Sequence, residues 1–173
     1  ANDSICIKNT ARLKDVLIKA PIVTFEEAFI GSVQVFAKNG VHLNKKVQLR
    51  YPSSIYIHHD RNEMTEVFMD EESKLAGGIV LTGDSYRNSL SRLVTIETDA
   101  VVMGDVYCYG KTQLKGKVIG TVYTDRFYLE TTSSIYENYI VDGEIDREAL
   151  PEHFIGLPLF ADENVSYELV KEL

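Results

Sequence analysis

Cysteine is scarce in this 173-residue chain, with only Cys6 and Cys108. They share no CxxC and no histidine spacing, so neither a disulfide framework nor a zinc site is indicated. Both sit in alternating apolar stretches, and Cys108 reads as a core thiol. Long apolar runs are also missing, which excludes a membrane span within these residues, and no signal-peptide pattern is present. The chain opens Ala1-Asn2-Asp3-Ser4 without a methionine, so a processed methionine or a removed leading segment is expected. Membrane contact is expected only through such a segment. Basic charge is in deficit: the net charge is −8, which argues against a general nucleic-acid binder. The imbalance is graded, +3 over residues 1–60, −4 over 61–141 and −7 over 142–173. That polarity can steer head-to-tail contact, or can simply be a tail kept soluble by carboxylates. Helical spacing is not sustained anywhere before about residue 145.

Catalytic constellations are equally absent. Ser53-Ser54 has no GxSxG elbow or Ser-x-x-Lys around it. His58-His59-Asp60 is the most ligand-like cluster, but adjacent strand residues point to opposite faces, so a turn is the expected reading. His42 and His153 stand alone. The carboxylate pairs Glu26-Glu27 and Glu71-Glu72 have the residue type for glycoside chemistry, yet read better as solvated faces. No catalytic, cofactor-binding or metal-ligating residue is assigned.

Period-two apolar pairs fill the space that these absences leave: Val16/Ile18, Val33/Val35, Val41/Leu43, Ile55/Ile57, Val94/Ile96 and Val106/Cys108, among others. They also align with one another. Val16 to Val33 and Ile18 to Val35 are 17 apart, Val23 to Val41 is 18, Val106 to Val122 is 16, Ile96 to Leu114 is 18, and Val118 to Ile135 is 17. A period of about 17 with three short strands predicts an all-β chain: a three-sided parallel β-helix of about eight turns over residues 1–145, with a C-terminal cap over 146–173. Leu150, Phe154, Ile155, Leu157, Leu159 and Phe160 are the expected cap residues. Gly104, Gly116, Gly120 and Gly143 are expected at bends between faces. The competing fold is an antiparallel sandwich, for which Asn39-Gly40 and Asp142-Gly143 would supply hairpin turns. Residues 84–92 read as an inserted loop, and residues 60–74 as a short helix or a distorted winding.

Ten tyrosines complete the picture. Tyr107, Tyr109, Tyr123, Tyr128 and Tyr136 flank inward residues and by alternation face outward, with Tyr107 and Tyr123 one winding apart. They are the candidate contact surface, for a protein partner or for sugar rings; the other reading is that aromatics merely suit strands.

Within Val94–Ile145, the units Gly104-Asp105-Val106, Gly116-Lys117-Val118, Gly120-Thr121-Val122 and Gly143-Glu144-Ile145 resemble the repeat of the bactofilins, bacterial polymer-forming cytoskeletal proteins. The resemblance covers about a third of the chain. It implies a right-handed β-helix that polymerises end to end without a nucleotide. The region before residue 93 and the acidic C-terminal segment depart from that pattern and would obstruct simple end-to-end stacking. The six-residue run of the left-handed hexapeptide acyltransferases is absent.

The functional expectation is therefore a non-enzymatic scaffold or assembly domain of the bacterial cell envelope or membrane-associated cytoskeleton. It would self-associate, or hold a protein partner, through its ends or its tyrosine face. The alternative is a carbohydrate-binding or carbohydrate-active β-helix using that face.

Overall fold

The computed structural model describes residues 3–59, 63–84 and 90–156. The chain is all-β, with no α-helix among the described residues. Its strands are β1 (Ile5–Ile7), β2 (Val16–Phe25), β3 (Ile30–Gly31), β4 (Val33–Leu43), β5 (Gln48–His58), β6 (Thr65–Met69) and β7 (Lys74–Thr82). They continue with β8 (Arg92–Ile96), β9 (Val101–Met103), β10 (Val106–Leu114), β11 (Lys117–Ile119), β12 (Val122–Glu130), β13 (Ile135–Glu137) and β14 (Glu144–Ile145).

Pairing is parallel throughout the described residues except between β12 and β13. The long strands change partner midway. β4 pairs with β5 through Gln34–Ala37 and then with β6 through Gly40–Leu43. Likewise β10 pairs with β7 through Val106–Cys108 and with β8 through Lys111–Leu114. With β5–β7 and β6–β8, six parallel strands close on themselves as a barrel. Asn39-Gly40 lies inside β4 and makes no hairpin, so the antiparallel sandwich is excluded.

Register links residues of one kind. Ile18, Val35, Ile55, Ile79, Val106 and Val122 follow one another across five pairings. Val23, Val41, Val67 and Val94 form a second column that continues to Thr112 and Phe127. Leu49, Leu75, Val102, Val118 and Ile145 form a third. Val35, Ile55, Ile79, Val41, Val67, Val94 and Val102 have no solvent exposure. Each such aliphatic side chain contributes roughly 1.5–3 kcal/mol of burial. Alternation of inward aliphatic with outward polar residues is what lets one strand serve as wall and core together.

The aligned intervals of 16, 17 and 18 appear as true register at Val106↔Val122, Val16↔Val33 and Ile96↔Leu114. One interval is corrected: Val118 pairs with Ile145, whereas Ile135 pairs antiparallel with Glu130. Residues 63–74 hold β6 and no helix, and residues 60–62 lie outside the described residues, as do 85–89 of the expected inserted loop. Of the expected cap, Leu157, Leu159 and Phe160 lie outside the described residues. Leu150 and Phe154 are half-buried and Ile155 is exposed. Phe154 packs edge-on against Tyr51, with ring centroids 5.4 Å apart, so it covers a side of the molecule near β5.

Two kinds of bend redirect the chain, within a strand at Gly77 and between strands elsewhere. One is a column of glycines, Gly77, Gly104 and Gly120, with φ of 144°, 135° and 152°. A β-carbon on Gly104 would overlap the carbonyl oxygen of Gly77, and one on Gly120 would overlap that of Gly104. Only glycine fits there. The other is a four-residue turn repeated at Glu26–Phe29, Asn44–Val47, Asp70–Ser73 and Glu97–Ala100. In each, the last N–H donates to the first carbonyl, at 3.1, 3.2, 3.2 and 3.0 Å. The third residue has φ near 60°: Ala28, Lys46, Glu72 and Asp99. This is the positive φ that type II turns require at that position.

Candidate binding face

On β2, β4, β5, β7, β10 and β12, the residues between the inward aliphatics point outward, and register stacks them. Lys19 pairs with Phe36, Phe36 with Tyr56, Tyr56 with Val80, Val80 with Tyr107, and Tyr107 with Tyr123. The result is an aromatic column up one wall, interrupted once by the buried Val80. Phe36 and Tyr56 rings are 5.7 Å apart, Tyr107 and Tyr123 rings 6.4 Å. Phe36 and Tyr56 are each 38% exposed and Tyr123 39%, so the column is a surface and not a satellite core.

The five tyrosines singled out from the sequence are divided among several places. Tyr107 and Tyr123 share the column. The Tyr109 ring lies 5.4 Å from the Arg92 guanidinium. Tyr128 packs against Lys111, whose Nζ is 4.6 Å from the ring. Its hydroxyl donates to Glu130 at 3.3 Å, and partial burial with that carboxylate pushes the phenol up. Tyr136 lies on β13 with its ring 5.6 Å from Tyr139. Phe36 and Tyr56 were missed, although each follows a core residue and their outward direction is implied by alternation. The signal that hid them is the interval of 20 between Val35 and Ile55, longer than the period of about 17 that the sequence pattern follows.

Beside Phe36 and Tyr56 runs a groove of about 710 Å³, lined also by Lys19, Lys38 and His58. Its lining contains no carboxylate. Outside the lining, Asp84 Oδ1 faces His58 Nε2 at 3.7 Å. His59 turns the other way and is buried, as opposite-facing neighbours on a strand must.

The remaining candidates from the sequence have structural partners. Ser53 is buried; its hydroxyl accepts from the Val33 N–H at 3.1 Å and donates to the Arg50 carbonyl. Glu26 accepts from the Asn9 N–H at 3.0 Å and from Lys8 at 3.1 Å, and those contacts, the backbone one foremost, hold it below the usual carboxylate range. Glu71 meets Lys45 at 2.7 Å, whose hydrogen bond lowers it likewise, and Glu72 meets Lys46 at 3.9 Å. Glu26, Glu71 and Glu72 thus face lysines of neighbouring segments, as carboxylates on a solvated face do. His42 Nε2 lies 3.0 Å from Glu66, and this hydrogen bond lowers the glutamate. Cys108 is buried, and desolvation pushes its thiol up to about 12, so it is inert near neutrality.

Arg92 is the polar residue that composition alone did not flag. It has no exposure, at the first position of β8, two residues before inward Val94. Its guanidinium donates to the His59 carbonyl at 3.3 and 3.2 Å and to the Tyr109 carbonyl at 3.0 Å. Several charge-assisted bonds offset part of its desolvation. It ties the end of β5 and the start of β8 to the middle of β10.

Among the described residues, no three His, Cys, Asp or Glu side chains converge in a way that could hold a metal, and no helix is long and apolar enough to cross a membrane. What the wall presents is flat: stacked rings, a basic groove beside them, and ion pairs at the turns. Comparison with protein-family models, with curated proteins and with solved structures finds no match to this chain.

Proposed function

We propose that the chain is a three-sided parallel β-helix acting as a non-enzymatic scaffold or assembly module, with the aromatic wall as its contact surface. Three runs of paired strands support the architecture: β1–β2–β4–β6–β8–β10–β12, β2–β4–β5–β7–β10–β12 and β3–β5–β7–β9–β11–β14. They are six or seven strands deep, which suits six to seven windings better than about eight. The middle windings are longer than the repeat of 17: Val41 pairs with Val67, and Val67 with Val94.

The observation that carries the function is the outward column Phe36–Tyr56–Val80–Tyr107–Tyr123, a largely exposed aromatic ladder spanning five strands. Aromatic rings held rigidly on a sheet give contact area at little entropic cost. The resemblance of residues 94–145 to the bactofilin repeat supports a setting in the bacterial cell envelope or membrane-associated cytoskeleton. Light scattering after size exclusion, across a hundredfold range of protein concentration, tests the reading. Concentration-dependent association that Tyr123→Ala weakens is expected. A strict monomer that captures no partner would overturn it.

The same ladder favours a second reading, glycan binding. Pyranose rings present flat C–H faces that stack on aromatic rings, and the rungs repeat at about 4.8 Å along the column. Binding on a broad glycan array that is lost in Tyr123→Ala would favour it over self-assembly, and silence on the array would remove it.

A further inference from the structure

The groove beside Phe36 and Tyr56 differs chemically from the rest of the aromatic wall. Higher up, Tyr107 and Tyr123 have no lysine beside them in register. Here two tilted rings line the groove together with Lys19, Lys38 and His58; the lining holds no carboxylate, and Asp84 faces His58 from outside it at 3.7 Å. The local sign opposes that of the whole chain, whose net charge is −8. A basic, ring-lined site on an acidic molecule selects a ligand that brings both flat apolar faces and negative charge.

We propose that this groove binds an acidic polysaccharide, a chain of uronic-acid-type sugars. Sugar faces would stack on Phe36 and Tyr56 while carboxylates meet Lys19 and Lys38. Two rings in direct register on neighbouring strands, β4 and β5, offer successive platforms along one line, which suits a polymer better than a single sugar. An acidic peptide is disfavoured because the backbone of this wall is already paired on both sides, β4 with β2 and β5 and β5 with β4 and β7, leaving no edge for strand addition. Single-stranded nucleic acid also stacks on rings beside lysines. The overall acidity of the chain weighs against it.

The proposal rests on the glycan reading of the aromatic column but assigns it a different pair of rings and an acidic ligand. Calorimetric titration of the full chain would use a soluble oligouronate, a neutral β-linked glucan oligomer and oligo(dT). Both rings are more than a third exposed, so the double variant Phe36→Ala/Tyr56→Ala should fold, which the thermal melt verifies. Binding of the oligouronate is expected, weakened at least tenfold by that double variant and severalfold by Lys38→Glu, and weakened further as salt rises. Glucan binding equal to oligouronate binding, or preference for oligo(dT), would overturn the acidic-sugar assignment. Oligouronate binding lost in Tyr107→Ala/Tyr123→Ala but intact in Phe36→Ala/Tyr56→Ala would overturn the site while leaving the general glycan reading standing. No binding to either sugar would sink both.

Discussion

The glycine column and the charged turns solve one problem, reversing a stacked chain, in opposite ways. At Gly77, Gly104 and Gly120 the carbonyl of Ser53, Gly77 and Gly104 respectively occupies the space where a side chain would begin. The backbone itself is the packing surface, and chemistry is excluded. At Ala28, Lys46, Glu72 and Asp99, φ is near 60° but the side chain projects into open solvent. A residue other than glycine accepts a modest conformational cost there and gains room for charge. Lys46 and Glu72 then pair with each other, and their neighbours Lys45 and Glu71 do the same. The fourth residue of each turn, Phe29, Val47, Ser73 or Ala100, is driven fully inside. The lesson is that positive φ alone does not demand glycine; the atoms beyond the β-carbon decide.

The sharpest way to break this comparison is to add a methyl to the glycine column and remove one from a charged turn. Gly104→Ala is expected to destabilise the fold by about 3 kcal/mol or more, because both the conformation and the carbonyl contact are violated. Denaturant unfolding measures it, and a loss under 1 kcal/mol would mean the column is looser than its geometry implies. The reverse change at the other turn, Ala28→Gly, should stabilise or leave stability within about 1 kcal/mol of the parent, relief of positive φ opposing the added freedom of the unfolded chain. A large gain on Ala28→Gly would show that the two turns obey the same rule after all.

Smaller effects sharpen the contrast. Lys115 and Glu97, paired at 2.8 Å, are the better-buried ion pair of the charged turns. Glu97→Gln should cost up to about 1 kcal/mol at low salt and less at high salt. The smallest effect is in acid. Glu26 and Glu71 are held low in the folded chain by the Asn9 N–H and by Lys45 respectively. A folded-state value below the unfolded one means that the stabilisation is present above the ordinary carboxylate range and is lost as pH falls through the depressed value. The melting temperature should therefore drop on acidification, and drop less steeply in Glu71→Gln. Equal slopes in parent and variant would remove Glu71 from the acid response.

Much of this wall was legible because strand alternation and register are written in the same residues. Ile18 and Val35, or Val106 and Val122, are inward, apolar and one winding apart, so periodicity found the pairing itself. Legibility failed where the interval changed. Phe36 and Tyr56 escaped because their windings are separated by 20 residues, and the pairing of the Gly143-Glu144-Ile145 unit with β11 escaped because Lys117 lies 27 residues before its partner Glu144. Glu26-Glu27 and Glu71-Glu72 were legible as solvated faces, but the lysines that Glu26 and Glu71 meet were not. Their lysine partners are 18 and 26 residues away, beyond the reach of any local motif. Arg92 was hidden for a different reason: a buried guanidinium needs carbonyl acceptors, and those come from backbone, which has no letter in the sequence.

Ile135–Glu137 lies against Tyr128–Glu130 in the reversed sense. A second copy arriving at that edge would find Tyr128–Glu130 already paired, and paired with the wrong polarity for its own first strand. The hairpin therefore bars that one edge from extending the parallel ladder into a neighbour, and any contact made there has to use side chains instead of backbone.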